Sequence, residues 1–130
     1  MPSSFQDMIS FNHISAWPTG SRYICDPPPM DTDEDTVILV GDLNRTRVHL
    51  TCCGWDIPNN DKYAEMENKD GWFSAKKEID GVLKNYIIIQ DQDKYRKWVI
   101  ATETAKKLNL LKKEDRIFLF SVIVDERPLY

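Results

Sequence analysis

Two acidic side chains, Asp33 and Asp35, stand two residues apart just before a strongly apolar run. Alternate side chains of an extended segment project to the same side, so the two carboxylates face one way. Two such groups repel each other unless a cation lies close to both, and their oxygens are ligands that Mg²⁺ or Mn²⁺ takes in proteins. The spacing therefore predicts a site for one divalent metal ion.

A glycine and a hydroxyl residue, Gly20 and Ser21, precede these carboxylates in the chain. Glycine lets the backbone approach an oxyanion closely, and Ser21 adds a hydroxyl and an amide donor beside it. Arg22 comes next and supplies a positive charge that can neutralise phosphate. Together the two segments predict one site that holds a polyphosphate beside a metal ion, an arrangement suited to phosphoryl-type transfer.

The hydrophobic pattern predicts the elements that position these residues. Residues 36–40 form a continuous, mostly β-branched run, which predicts a strand covered on both faces with the carboxylates at its entrance. Residues 11–17 predict a strand that ends at the breaker 18–20, so the glycine and serine follow directly. Three prolines at 27–29 give the connection between the two segments a stiff, extended path.

A β-hairpin is the clearest local pattern in the chain. Residues 72–79 and 82–89 are strand-like, and the aspartate and glycine between them suit a type I′ turn. A two-residue turn places Lys76 opposite Asn85 and on the same face of the sheet. Lys76 is therefore a further candidate for the phosphate site.

The same register places Lys77 opposite Lys84. Like charges that face each other destabilise a sheet. The pair is therefore expected either to extend into solvent or to hold an anion such as phosphate between its ammonium groups.

Helical periodicity dominates the last third of the chain. Residues 93–108 predict a helix with one buried stripe, and residues 113–124 predict a second, apolar helix. Strands in the first two thirds and paired helices at the end predict an α+β domain over residues 1–130, with a small mixed sheet covered by helices. The buried stripe of the first of these helices consists of Trp98, Ala101, Ala105 and Leu108.

The sequence predicts three further elements: a helix over 3–9, a helix over 42–54 and a surface connection over 56–71. In the helix over 42–54, the side chains expected to point partly inward are Leu43, Val48, Leu50 and Cys53.

Composition limits the classes of protein that fit. The 130 residues are 42% hydrophobic, which suffices for one hydrophobic core and one domain. A formal net charge of -4 argues against broad electrostatic attachment to nucleic acid or to an anionic membrane. Three cysteines, two of them adjacent, fit reduced thiols, and no secretory signal or membrane-length apolar run is evident. A cytoplasmic protein with no membrane partner is expected.

Three further features have plainer explanations than a site. Trp72 and Phe73 are expected to pack in the core rather than stack a base, because aromatic residues on hairpins most often do so. The adjacent cysteines near His49 lack a second ligand pair at zinc spacing and are expected to be buried thiols. A solvated face explains the basic cluster better than a nucleic-acid contact does; the cluster comprises Lys106, Lys107, Lys112, Lys113 and Arg116.

The glycine–serine pair, the spacer and the two aspartates that enter a strand together resemble the nucleotidyltransferase superfamily that includes DNA polymerase beta. More narrowly, the runs 28–35, 105–110 and 113–117 resemble those of small nucleotidyltransferase-like proteins encoded by bacteriophages. The resemblance covers most of the chain from residue 20 to residue 124. It implies a minimal nucleotidyltransferase fold.

The resemblance also implies roles for individual residues. Gly20 and Ser21 would hold the phosphates of a nucleotide, and Asp33 and Asp35 would be the catalytic carboxylates that bind the metal. The family uses a third carboxylate on a later strand to help activate the acceptor hydroxyl. The matching position here is Asn85, an amide that carries no charge and cannot act as a base.

The leading hypothesis is therefore a Mg²⁺- or Mn²⁺-dependent nucleotidyltransferase. It would move a nucleotide from a nucleoside triphosphate to an unknown acceptor hydroxyl on RNA, protein or a small molecule, with Lys76 and Arg22 assisting at the phosphates. The alternative, favoured by Asn85, is a protein of the same fold that has lost turnover and binds a nucleotide or a host protein as a phage-encoded factor in the infected cell. A purely structural interaction domain is a third hypothesis.

Overall fold

The computed structural model describes residues 13–29, 33–57 and 72–124. The helix predicted over 3–9 and most of the connection predicted over 56–71 lie outside these ranges. The described residues form four strands and four helices, which confirms the predicted α+β class. In chain order they are β1 (Ser15–Thr19), α1 (Gly20–Ile24), β2 (Glu34–Leu39), α2 (Leu43–Cys52), β3 (Trp72–Ile79), β4 (Val82–Ile89), α3 (Gln92–Lys107) and α4 (Lys113–Ile123).

The strands form one small mixed sheet in the order β1-β2-β4-β3. β1 pairs antiparallel with β2, β2 pairs parallel with β4, and β4 pairs antiparallel with β3. β2 and β4 are thus the central strands, and their apolar runs are buried as continuous β-branched segments of this kind require. Pro18 lies in β1, an edge strand, where a residue without an amide hydrogen removes no central ladder bond.

The two faces of the sheet carry separate hydrophobic clusters. Ile38, Phe73 and Ile88 belong to the cluster that packs against Leu50 of α2. Residues that alternate with these in the strands belong to the second cluster, which packs against Tyr95 of α3. We call these the α2 face and the α3 face. The second cluster contains Val37, Leu39, Ile87 and Ile89.

The hairpin has the predicted strands and register. Asp80 and Gly81 both have positive φ, 54° and 79°, as a type I′ turn requires. The expectation that the facing lysines extend into solvent is wrong. The Lys77 Nζ donates to the carbonyl of Cys53 at 2.8 Å, and the Lys84 Nζ lies 2.7 Å from Glu34. Each lysine therefore has its own protein acceptor on the α2 face.

α2 forms where the sequence predicts a helix. Its N-cap is Asp42, whose side chain accepts a hydrogen bond from the amide of Arg45 at 3.0 Å. Thr46 and Leu50, one turn apart, are buried toward the sheet. Val48, predicted to point partly inward, is 62% exposed because it lies on the other side of the helix.

α3 ends one residue earlier than predicted. Leu108 is its C-cap and is 61% exposed, so its predicted place in the buried stripe is wrong. Trp98 is only partly buried, and Tyr95 and Thr102 are buried in addition to the two predicted alanines. α4 matches the predicted second helix, and its Phe120 packs against the small cluster where α1, α3 and α4 meet.

A buried hydrogen-bonded pair joins the end of β1 to α3. The Oγ1 atoms of Thr19 and Thr102 are 2.7 Å apart, and both residues are buried. The Thr102 hydroxyl donates to the carbonyl of Trp98, so its proton is already committed and Thr19 is the donor to Thr102. This bond anchors the residue that immediately precedes Gly20.

Replacing Thr102 with valine should lower the free energy of unfolding by about 1–3 kcal/mol, because the buried Thr19 hydroxyl loses its acceptor. Urea unfolding measures this loss. The double variant Thr19→Val, Thr102→Val should lose less than the sum of the single variants. Thr104→Val is the matched control, since Thr104 makes the same bond to a helix carbonyl at an exposed position. Equal losses in Thr102→Val and Thr104→Val would contradict the anchoring role.

Candidate functional site

One row of residues crosses the sheet at the end where β2 begins. Thr19 pairs with Asp35, Asp35 pairs with Asn85, and Asn85 pairs with Lys76. Asp35 and Asn85 alternate with the residues of the second cluster, so both side chains lie on the α3 face. Gly20 follows Thr19 directly and begins α1. Four segments distant in sequence therefore meet at this row.

Gly20 lies directly against the carboxylate of Asp35. Its φ is +78°, in the left-handed region that favours glycine, and a Cβ added to it would overlap the Asp35 Oδ2. Both the backbone conformation and the close approach exclude a side chain at this position. The glycine–serine turn and Asp35 consequently lie side by side, and Ser21 and Asp35 line the same cavity.

Asp35 is held in an unusual electrostatic setting. Burial raises its pKa most strongly, and the charge of Asp33 raises it further. A hydrogen bond from Asn85 and the charge of Lys76 lower it. The result is a pKa of about 6. The bond from Asn85 joins its Nδ2 to the Asp35 Oδ1 at 3.0 Å. At neutral pH the carboxylate is mostly ionised, and its charge is poorly solvated.

Asp33 and Lys76 form a partly exposed pair beside Asp35. The Lys76 Nζ lies 3.5 Å from the Asp33 Oδ2, and the two side chains are 44% and 34% exposed. The lysine that the hairpin register placed near the phosphate site thus lies next to the first carboxylate. Its contact with Asp33 is long and solvated, so a stronger anion can compete for it.

Arg22 lies near a different carboxylate. Its Nη1 is 4.0 Å from Glu34, whose side chain alternates with those of Asp33 and Asp35 and also contacts Lys84. The guanidinium that the sequence places on a phosphate is therefore located beside Glu34 in the structure.

The third-carboxylate position also lies beside Asp35. The Asn85 Oδ1 is buried and has no hydrogen-bond partner within the described ranges, while its Nδ2 is occupied by Asp35. A buried acceptor without a donor costs about 1–3 kcal/mol unless a ligand or water meets it.

These donors suit one hard cation. Mg²⁺ is commonly bound by one or two carboxylates together with phosphate oxygens and water, which is what Asp33 and Asp35 can share. Burial is the main cause of the raised pKa of Asp35 and the charge of Asp33 adds to it, and a divalent cation beside both carboxylates would offset both effects. No group of three His, Cys, Asp or Glu residues that could hold a metal occurs in the described part of the chain.

A cavity of about 440 Å³ opens beside the carboxylate and the glycine–serine turn, between the α3 face and α4. Its walls include two tryptophans, Trp72 and Trp98, and it is bordered by Lys94 and Lys113. The sequence pattern did not identify this cavity, because its residues come from seven elements with no common spacing. Phe73, in contrast, is fully buried in the core, as expected. Other lining residues are Thr19, Ile87, Arg116 and Phe120.

Two members of the basic cluster bond to backbone carbonyls: Arg116 holds the α3–α4 turn, and Lys106 joins α3 to α1. The Arg116 Nη1 donates to the carbonyls of Leu110 and Leu111 at 2.9 and 2.8 Å. The Lys106 Nζ donates to the carbonyl of Tyr23 at 2.8 Å and lies over the Tyr23 ring. The expectation of a solvated face is therefore wrong for Arg116, which is partly buried, whereas Lys106 is exposed as expected.

The adjacent cysteines differ in burial. Cys52 is exposed, so the expectation that both are buried thiols is wrong, and Cys53 is intermediate. The Cys53 Sγ lies 3.5 Å from the His49 Nε2, one helical turn away. Both cysteines are free, as reduced thiols are.

A search of protein-family models, curated proteins and solved structures finds no match to this chain. Within the described ranges, the helices are too short or too polar to span a membrane. The site is therefore interpreted from its own residues.

Replacing Gly20 with alanine should lower the free energy of unfolding by about 2–4 kcal/mol, because the new methyl group must displace Asp35 in addition to straining the backbone. Gly81→Ala is the matched control. Gly81 has nearly the same φ, +79°, but open space around its Cβ position, so it reports the backbone strain alone. Chemical unfolding of both variants gives the difference, and equal losses would show that the contact with Asp35 is unimportant.

Replacing Asp35 with asparagine should stabilise the protein at pH 7 by about 1–2 kcal/mol and have little effect near pH 4. The pKa of Asp35 is raised from its ordinary value of 3.8 to about 6. The folded state therefore binds a proton more tightly than the unfolded chain, and stability falls as pH rises from 3.8 through about 6. Urea unfolding as a function of pH measures the effect.

Asp93→Asn is the control for this pH dependence. Hydrogen bonds from Lys97 and Arg96 lower the pKa of Asp93, so removing its charge should not stabilise the protein at pH 7. A gain in both variants would indicate a general effect of net charge and would contradict the role assigned to burial at Asp35.

Proposed function

We propose that this protein is a divalent-metal-dependent nucleotidyltransferase that transfers a nucleotide from a nucleoside triphosphate to an acceptor hydroxyl. The observation that carries the proposal is the contact between Gly20 and Asp35. It puts a glycine–serine turn, able to hold phosphate, against a carboxylate that shares its strand face with Asp33. A phosphate chain and a cation would therefore be neighbours.

The topology supports a minimal nucleotidyltransferase fold. β1 leads into the glycine–serine turn, β2 begins with the carboxylates, and the parallel neighbour β4 supplies the third position. A ligand at this end of the sheet would contact three consecutive strands. The sequence motifs and the strand order are independent features, and both favour the same family.

Each residue would have a distinct role in the transfer. Asp33 and Asp35 would hold the metal, which supplies charge neutralisation at the phosphates when bound. Gly20 and Ser21 would bind the phosphates through backbone and hydroxyl donors. Lys76, released from its long contact with Asp33, would add a positive charge.

In the transfer itself, the acceptor oxygen forms a bond to the α-phosphorus while the bond from that phosphorus to pyrophosphate breaks. Pyrophosphate leaves with the electron pair, and the hydroxyl proton passes to solvent. The side chains position the two oxygens and stabilise charge, which is the main contribution that proteins make to this chemistry.

A second candidate function rests on Asn85. In its place a third carboxylate would help to activate the acceptor, whereas this amide donates to Asp35 and leaves a carbonyl oxygen without a partner. The same fold would then bind a nucleotide without transferring it, or engage a host protein as a phage-encoded factor. The enzyme and a protein that binds a nucleotide without transferring it would both show metal-dependent nucleotide binding. Turnover therefore separates these two functions.

The proposal predicts that purified protein binds a nucleoside triphosphate only when Mg²⁺ or Mn²⁺ is present. Calorimetry with each of the common ribonucleotides measures the binding. Asp33→Asn and Asp35→Asn should each weaken it by about tenfold or more, since each removes a charged metal ligand. The control is Asp93→Asn, an exposed carboxylate on α3 paired with Arg96. Metal-independent binding, or equal binding by all four proteins, would contradict the proposed site.

Turnover is tested by transfer of α-³²P label from each nucleotide into acceptors of a bacterial lysate. Transfer that disappears in Asp33→Asn and persists in Asp93→Asn supports the enzyme. Binding without transfer supports the second candidate. In that case Asn85→Asp, which restores a carboxylate beside Asp35, should allow transfer to be detected. Absence of nucleotide binding in the native protein would remove the enzyme and the nucleotide-binding form of the second candidate.

A further inference from the structure

The cavity beside Asp35 has features that phosphate and metal binding do not use. Its deeper walls are apolar and include Ile87 on β4, Phe120 on α4 and the rings of Trp72 and Trp98. Its volume of about 440 Å³ lies within the usual range for small-molecule pockets. It is continuous with the carboxylate, because Asp35 is one of its lining residues.

A buried donor in the cavity wall has no acceptor. The Trp98 Nε1 is inaccessible to solvent and makes no hydrogen bond to any described residue. The indole N–H of Trp17, in contrast, donates to Glu103 at 2.9 Å. A buried N–H without a partner costs about 1–3 kcal/mol, so an acceptor atom on a ligand in the cavity would stabilise the complex.

Two lysines border the same cavity. Within the described ranges, Lys94 and Lys113 have no carboxylate within 4.0 Å, whereas nearby Lys97 pairs with Asp93 at 3.0 Å. The Lys94 Nζ lies 6.0 Å from the centre of the Trp72 ring, so its charge is at the edge of an apolar wall. Lys113 is exposed, which places it at the opening. Both charges would attract an anionic group that enters the cavity.

We infer that this cavity binds the acceptor, and that the acceptor is a small organic acid with an apolar or aromatic body and a hydroxyl group. The assignment rests on the proposed function. The body would occupy the space between Trp72 and Phe120, and the acid group would lie at the border of the cavity, where the charges of Lys94 and Lys113 attract it. The Trp98 ring would turn on binding so that an oxygen of the ligand accepts the hydrogen bond of its Nε1, which has no accessible surface in the unliganded structure.

A nucleobase fits the cavity less well. It is uncharged and would leave Lys94 and Lys113 unused, and its polar edge needs several donors and acceptors. An organic acid of similar size uses the apolar walls, the indole N–H of Trp98 and both lysines together. The acceptor hydroxyl would then approach the phosphates from the side of Asp35 and Ser21, which both line the cavity.

The test uses two fluorescent probes with the same aromatic rings. 1-Anilinonaphthalene-8-sulfonate carries an acid group, and N-phenyl-1-naphthylamine does not. Lys94→Gln and Lys113→Gln should each weaken binding of the sulfonate about threefold to tenfold, the size of a partly exposed charge contact, and leave the neutral amine unchanged. Lys107→Gln, at the exposed end of α3 outside the cavity, is the matched control.

Trp98→Phe tests the indole donor. It keeps an aromatic ring and removes the N–H, so sulfonate binding should weaken about threefold or more. Trp17→Phe, which removes an indole N–H outside the cavity, should leave the affinity unchanged. Unchanged sulfonate affinity in the two lysine variants, or equal effects in Lys107→Gln, would overturn the inference. Near-ultraviolet circular dichroism establishes that each variant is folded.

A competition experiment separates acceptor from nucleotide. If a nucleoside triphosphate with Mg²⁺ and the sulfonate bind at the same time, the acceptor assignment is supported. If the nucleotide displaces the sulfonate competitively, the cavity holds the base and the inference is overturned, although the proposed function stands. If no nucleotide binds while lysine-dependent sulfonate binding persists, the proposed function and the acceptor role both fail, and a binding pocket for organic acids is what remains.

Discussion

The contact between the Gly20 backbone and the Asp35 carboxylate is the constraint on which the site depends. It requires a residue without a side chain at the end of β1, and it excludes water from one side of Asp35. The loss of solvent raises the pKa of Asp35. The buried bond between Thr19 and Thr102 fixes the strand end just before this contact. Stability and site geometry are therefore coupled at one point.

The parallel pairing of β2 and β4 determines which group faces this carboxylate. It brings Asn85 beside Asp35, where a carboxylate would have added a second buried negative charge. The amide of Asn85 instead donates a hydrogen bond to Asp35 and lowers its pKa. Without metal, the folded state is therefore more stable than it would be with a third carboxylate at this position. Because an amide cannot act as a base, the proposed nucleotide binding and the proposed turnover are separate questions here.

The two faces of the sheet serve different purposes. On the α2 face Lys84 pairs with Glu34, Lys77 donates a hydrogen bond to the carbonyl of Cys53, and the apolar residues are closely packed. On the α3 face packing is incomplete, because α4 lies over α3 and leaves a cavity between its own side chains and the sheet. Polar atoms that need partners, such as the Trp98 Nε1, occur on this second face.

The sequence by itself determined the features that depend on neighbouring residues. The aspartate–glycine turn determined the hairpin register, and the β-branched run determined the central strand, because turn geometry and side-chain alternation act over a few positions. Helix periodicity was less decisive: Val48 and Leu108 are exposed, since the partner of a helix face lies elsewhere in the chain.

Tertiary structure alone decided how distant segments combine. It placed Arg22 beside Glu34, raised the pKa of Asp35 and assembled the cavity from seven elements. Each of these depends on burial and on distances between segments far apart in sequence. Residue types and spacing carry no direct information about either quantity, because both arise only when the sheet and its helices pack together.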